Sequence, residues 1–158
     1  MTSPALRLAV DSLLDQHSGG TKFFNALDEY LRNSMFFEML YRRAMRDYMP
    51  DGLLVTGQFG EKFRDWLADR DSMMPVFVQP GDLRHHPERA WPHPSLADKH
   101  WVFLDDSLYA GRTLRACKRS VLMSGGDVVS AHVLYYGARR TRPDVQAFYY
   151  YWLNDRSW

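Results

Sequence analysis

The sequence predicts an α/β fold with a mostly parallel central sheet flanked by helices and a helical N-terminal extension. Three observations predict it. From Leu53 onward, short apolar runs recur, and several end on a glycine or an acid, as strands buried on both faces of a sheet do. Amphipathic stretches alternate with these runs, which is the order of a parallel sheet with helical crossovers. Before Pro50 the apolar residues recur instead at helical spacing.

The elements follow in chain order. Ser3 and Pro4 form a helix start, with serine as N-cap and proline in the first turn. Leu6, Ala9, Val10, Leu13 and Leu14 then repeat at helical spacing, and Gly19-Gly20 ends that helix. Thr21 opens a longer helical stretch reaching about Tyr48. Phe23, Phe24, Leu27, Tyr30, Leu31, Phe36, Met39, Leu40 and Met45 form its apolar side, and Asn33-Ser34 is where it would divide in two. Pro50-Asp51-Gly52 is a turn. "LLVTG" (53–57) is the first strand, "EKFRDWLADR" (61–70) an amphipathic helix, and "MPVFVQP" (74–80) the second strand. Residues 81–100, with Gly81, Pro87, Pro92 and Pro94, read as a loop. A loop of this length in a compact domain is usually functional or mobile. "WVFLDD" (101–106) is the third strand, and "TLRACKRSVLMSGG" a helix closed by Gly125-Gly126. "VVSAHVLYYG" (128–137) and "VQAFYYYWL" (145–153) complete the sheet. In open parallel sheets ligands bind beyond the carboxyl ends of the strands. The Gly57 loop, the loop after Pro80 and the acids Asp105 and Asp106 all fall at such ends.

Composition narrows the function classes. A chain of 158 residues, 46% hydrophobic and 25% charged, fits one domain (1–158) with a substantial core. Net charge is +1, so no global field points to nucleic acid. The short basic run "ARRTRP" (138–143) reads as a solvated face. Lysine stands only at Lys22, Lys62, Lys99 and Lys118, so 16 of the 20 basic residues are arginine, whose planar fork suits carboxylates and phosphates. Cys117 is the only cysteine, which rules out an intrachain disulfide and a four-cysteine zinc site. It sits mid-helix, as a buried small residue does. Four histidines, His85, His86, His93 and His100, fall in the long loop, at spacings that match no zinc-ligand pattern. The first twenty residues lack a signal pattern, and no apolar run approaches the roughly 20 residues of a membrane span. A cytoplasmic protein without a membrane partner is expected.

The stretch "WVFLDDSLYAGRTL" (101–114) carries the chemistry. Carboxylates that end an apolar strand must be solvated, paired or used. The loop that follows leads into a helix, and its backbone N–H groups can cradle a phosphate. Gly111 allows close backbone approach and Thr113 adds a hydroxyl donor. The two acids repel a phosphate but suit ribose hydroxyls or a magnesium-bound sugar phosphate. A 5-phosphorylated ribose satisfies both halves.

"VFLDDSLYAGRT" resembles the phosphoribosyl pyrophosphate (PRPP) motif of type I phosphoribosyltransferases, and the resemblance extends over about residues 52–137, the core. It implies that Asp105 and Asp106 hold the ribose hydroxyls and that Tyr109, Ala110, Gly111, Arg112 and Thr113 form the 5-phosphate loop. Gly57, Gln58, Phe59 and Gly60 match the pyrophosphate-binding loop. Residues 81–100 stand where the family has its mobile catalytic hood loop, in which Arg84, His85, His86 and Arg89 are the candidates for charge on the leaving group. Magnesium is expected through PRPP, with no direct protein ligand. Tyr109 departs from the family, which usually has a small residue or an acid there, and this disfavours hypoxanthine–guanine activity; "YAGRT" is nearer to the orotate members. The N-terminal helical part (1–49) matches no base-holding segment.

The resemblance implies an enzyme transferring phosphoribosyl from PRPP to a base or base-like acceptor. Two alternatives stand beside it. One is a non-catalytic protein of the same fold that senses PRPP or a nucleotide. The other is an unrelated nucleotide-binding or phosphatase-like domain. A homodimer is expected, because the C-terminal "FYYYWLNDRSW" and the aromatic side of residues 23–40 exceed what one small sheet needs to cover itself.

Overall fold

A computed structural model of the chain describes residues 4–17, 20–83, 85–137 and 144–150. Three helices come first: α1 (Pro4–His17), α2 (Gly20–Tyr30) and α3 (Ser34–Tyr48). Then follow β1 (Gly52–Thr56), α4 (Gly57–Arg70), β2 (Val76–Gln79), β3 (His100–Leu108), α5 (Arg112–Met123), β4 (Asp127–Tyr136) and β5 (Val145–Tyr150). The strands form one sheet in the order β2-β1-β3-β4-β5, and every pairing is parallel. Chain progression reverses between β1 and β3, so the carboxyl ends of these two strands flank the topological switch point, where such sheets open a crevice.

The long N-terminal stretch does divide at Asn33-Ser34. The Asn33 side chain accepts the N–H groups of Met35 and Phe36 and caps α3. Three boundaries differ from those read in sequence. Helix α4 starts at Gly57 rather than Glu61, so residues 57–60 are its first turn and follow β1 directly. Strand β3 runs to Leu108, so the two acids lie within the strand. Residues 81–100 are not a featureless loop but hold short 3-10 turns at Pro87–Arg89 and Pro94–Leu96. The expected N-cap Ser3, the stop at Gly19, the run 138–143 and the end of the last strand past Tyr150 lie outside the described residues, as do the side chains of Phe23 and Phe24.

Alternation along the strands sorts the apolar residues into two cores. Leu53, Val55, Val102 and Leu104 face α1, α2, α3 and α4, packing with Leu6, Val10, Leu27, Leu31, Phe36, Leu40 and Phe63. Leu54, Trp101 and Phe103 point the other way, toward α5 and the long loop, and pack with Leu83, Leu96, Leu114, Cys117 and Val121. The first three helices therefore cover one face of the sheet, and the sequence reading of them as an extension understates their role. The same period of two fixes the acids. Asp106 follows Val102 and Leu104 to the side of the N-terminal helices. Asp105 follows Trp101 and Phe103 to the side of α5.

Candidate ligand pocket

A cavity of about 600 Å³ opens at the switch point. Its floor is the end of β3, and its walls are the first turn of α4, the turn 109–111 into α5, and α2. Eleven of the residues singled out in sequence line it together: Gly57, Gln58, Phe59, Asp105, Asp106, Tyr109 to Thr113, and His85 from the long loop, while Gly60 stands behind, against Val55. His86 and Arg89 are not among the lining residues. His86 Nδ1 lies 3.1 Å from Glu88 Oε1, and Arg89 pairs with Asp82. Arg84 lies outside the described residues.

Two helices present their N-termini to this cavity. The Gly111 backbone at the start of α5 is left-handed (φ 75°), and no side chain caps the helix. Thr56 at the start of α4 likewise gives no side-chain cap. Neither helix has an acid in its first turn. The first N–H groups of a helix lack intrahelical partners and carry partial positive charge, so each start is suited to an anion. Gly57 also sits at positive φ (58°), and a Cβ added at Gly81 would come within 3.0 Å of the Gly57 Cα. Two backbones touch there without side chains, which keeps the mouth of the first site open.

The acids lie between the two helix starts. The Asp106 N–H donates to Asp105 Oδ1 at 2.8 Å, and Thr56 Oγ1 donates to Asp105 Oδ2 at 3.5 Å. Burial, reinforced by the neighbouring Asp106 charge, pushes the Asp105 carboxyl well above its ordinary range. Ser107 Oγ donates to Asp106 Oδ1 at 3.3 Å. On the other side of Asp106 stands Arg32, with Nε 3.5 Å from Oδ2. Arg32 Nη1 also donates to Gln58 Oε1 at 3.0 Å, so this one guanidinium touches both the acid pair and the first turn of α4. Arg32 lies in the turn between α2 and α3, and Asp28 of α2 joins the lining beside it. Arg32, Asp28 and Thr56 escaped the sequence reading. No local motif marks Asp28 or Arg32, and only the strand parity that aims Asp106 at the N-terminal helical part hints at a partner there.

The bulk of Tyr109 does not fill the turn 109–113. Its ring packs on Tyr135, with centroids 6.0 Å apart, and lies against Gly137. Burial, with Asp28 nearby, pushes its hydroxyl upward, so it stays protonated and able to donate. Cys117 is fully buried beneath Asp105 and burial pushes its thiol up as well, which removes it as a nucleophile. Among the described residues no three histidine, cysteine or acidic side chains lie close enough to hold a metal ion. Carboxylate oxygens suit magnesium, but Asp106 already faces a guanidinium and Asp105 leans toward its neutral form. These residues do not build a cage for a resident metal.

No protein-family model matches the chain, and no curated protein is similar to it in sequence. Solved structures are similar in fold. A purine phosphoribosyltransferase from Pyrococcus horikoshii superposes with a TM-score of 0.55 over 77% of this chain and 84% of its own, at 18% identity. A phosphoribosyltransferase from Corynebacterium diphtheriae gives 0.56 over 85% and 83%, at 14% identity. An adenine phosphoribosyltransferase from Thermoanaerobacter pseudethanolicus gives 0.54 over 76% and 83%, at 19% identity. The chain thus has an α/β fold with a parallel sheet flanked by helices. Its particular form is that of the type I phosphoribosyltransferases.

Proposed function

We propose that the pocket binds PRPP as its magnesium complex and that the protein transfers the phosphoribosyl group to a base or base-like acceptor. One observation carries this reading: two uncapped helix N-termini face a single cavity with an acid pair between them. PRPP has the same plan, with an anion at each end of a hydroxylated sugar. The 5-phosphate would take the turn 109–113, the pyrophosphate the turn 57–60, and the ribose hydroxyls Asp105 and Asp106. Magnesium would arrive on the pyrophosphate as part of the substrate.

The reaction breaks the bond from ribose C1 to the pyrophosphate oxygen and forms one from C1 to the acceptor. Charge grows on the leaving group, and the α4 N-terminus is preorganised to receive it. His85 is the loop residue placed to approach it. Water must be kept out, because it competes with the acceptor, and closure of the segment beginning at Gly81 would serve that end. The acceptor site falls to the N-terminal helices, whose Asp28 reaches the lining. A homodimer in the cytoplasm completes this reading.

A second reading is a non-catalytic PRPP or nucleotide sensor. It is favoured by the ion pairs that turn His86 and Arg89 toward Glu88 and Asp82, away from the cavity. Calorimetry with PRPP and magnesium, followed by mass spectrometry for released pyrophosphate over a panel of bases, separates the two. Binding with turnover is expected; binding without turnover on any base would make the protein a sensor, and no binding would sink both.

A further inference from the structure

We propose that Arg32 and Asp106 together clamp one ribose hydroxyl, so that the N-terminal helical part reads the sugar and rejects its deoxy form. The inference rests on the phosphoribosyl reading and adds to it a residue from outside the acid-and-glycine motif. Asp106 is 6% exposed and lines the cavity. Its Oδ1 is used by Ser107, while its Oδ2 accepts no hydrogen bond from any described residue. Arg32 Nε is buried too and donates to none. The two atoms face each other across 3.5 Å, too far for a good N–H···O bond. A charged donor and a charged acceptor, both out of water, thus meet at the same point of a ligand cavity. Buried groups of this kind are costly unless something satisfies them.

The chemistry of the gap selects its occupant. A phosphate oxygen would accept from Arg32 but be repelled by Asp106. An ammonium would donate to Asp106 but be repelled by Arg32. A hydroxyl does both, since it donates its proton to Oδ2 and accepts the Nε–H on its lone pair. A hydroxyl oxygen about 2.8 Å from each atom fits against the 3.5 Å separation without moving either group. Gln58 holds the guanidinium by Nη1, so the donor stands in place before the ligand arrives. A sugar lacking that hydroxyl leaves the buried Oδ2 and Nε–H without a hydrogen-bond partner, which is why sites built for a hydroxyl reject its absence strongly.

The test is calorimetry of the full chain with PRPP and magnesium, then with ribose 5-phosphate and its 2-deoxy and 3-deoxy analogues. The parent, Arg32→Ala and Arg32→Gln are compared. For one of the two deoxy sugars the parent is expected to lose about tenfold to a hundredfold in affinity, as charge-assisted hydrogen bonds imply. In both variants that penalty should fall to about threefold or less. Because the readout is a ratio of dissociation constants within one protein, a lower melting temperature in a variant does not disturb it. An unchanged penalty in both variants, or a parent that binds all three sugars alike, would overturn the clamp and leave the phosphoribosyl reading standing. A parent that binds neither PRPP nor ribose 5-phosphate would overturn both.

Discussion

Alternation along β3 sends Asp105 and Asp106 to opposite faces of the sheet, and their environments differ accordingly. Asp106 meets Arg32, while Asp105 lies near Cys117, accepts from Thr56 and a backbone N–H, and has the acids Asp106 and Asp28 as its charged neighbours. The repulsion between two neighbouring carboxylates is therefore expressed at Asp105. Removing the Asp106 charge would strand Arg32, so Asp106→Asn is expected to bring no gain in stability. Asp105→Asn keeps the acceptor for the Asp106 N–H and removes a charge that burial raises well above its usual titration range. The sign follows from linkage. A raised carboxyl value in the fold means a cost that is absent below the ordinary value of 3.8, grows as pH rises through the folded value, and is complete above it. Asp105→Asn should thus melt above the parent at pH 7–8, by roughly 2–4 °C for each 1 kcal/mol relieved, and the gap should close toward pH 4. Melts across that range check it, and a constant gap would point to a cause other than the charge. Gly111→Ala tests the neighbouring turn. Its left-handed backbone (φ 75°) penalises any side chain. A loss of about 1–2 kcal/mol is expected, together with weaker PRPP binding by calorimetry.

The order of strands and helices was readable because parallel strands buried on both faces appear as apolar runs, and because Asn33, Gly111 and Gly125 punctuate the helices between them. The extent of motion in the long loop was not. Its prolines and histidines suggest one mobile lid, yet long-range bonds no local pattern reveals divide it. Leu83, Ala90 and Leu96 are buried in the core on the α5 side. Ser120 Oγ donates to the Trp91 carbonyl at 2.6 Å and accepts from Gln79 Nε2 at 3.2 Å. The His93 N–H donates to Ser124 Oγ at 2.9 Å, and the Trp101 indole to the Leu96 carbonyl at 3.1 Å. The second half of the loop is thereby fastened to α5 and β3, so any movement over the pocket is expected of the stretch between the buried Leu83 and Ala90. Tryptic cleavage after Arg89 is expected to slow with PRPP and magnesium, while tryptic cleavage after Lys99 is expected to stay the same. Equal protection at both sites would mean the loop moves as one piece. Ser120→Ala leaves buried Gln79 without its partner, so it should cost about 1–3 kcal/mol and speed tryptic cleavage after Lys99. A variant as stable as the parent would show that the serine bridge contributes little.

Over the whole molecule the apolar surface is distributed differently from its appearance in sequence. Phe36, Phe37 and Leu40, part of the aromatic side from which a dimer was inferred, lie inside the chain's own core. The exposed residues Tyr30 and Met35 remain for a dimer contact, while Phe148 of the C-terminal run packs against the core and the run past Tyr150 lies outside the described residues. A sedimentation mass of two chains at micromolar concentration is expected, and one chain would contradict it. The helices that bury Phe36 and Phe37 also decide whether the sheet can stand alone. Leu53, Val55, Val102, Leu104 and Leu134 have no exposed surface, and the N-terminal helices and α4 together cover them. α4 is a single helix and cannot shield a face five strands wide, since neighbouring strands lie about 4.8 Å apart and a helix with its side chains is about 10 Å across. A chain beginning at residue 50 would therefore present a broad apolar face to water, and would also lack Arg32 and Asp28 from its pocket. Such a chain is expected to lose the cooperative melt of the full protein, bind hydrophobic dye and aggregate. The full chain should unfold in one transition monitored by both far-ultraviolet circular dichroism and tryptophan fluorescence. A truncated protein that melts cooperatively near the parent's temperature would make residues 1–49 an accessory layer rather than half of the core.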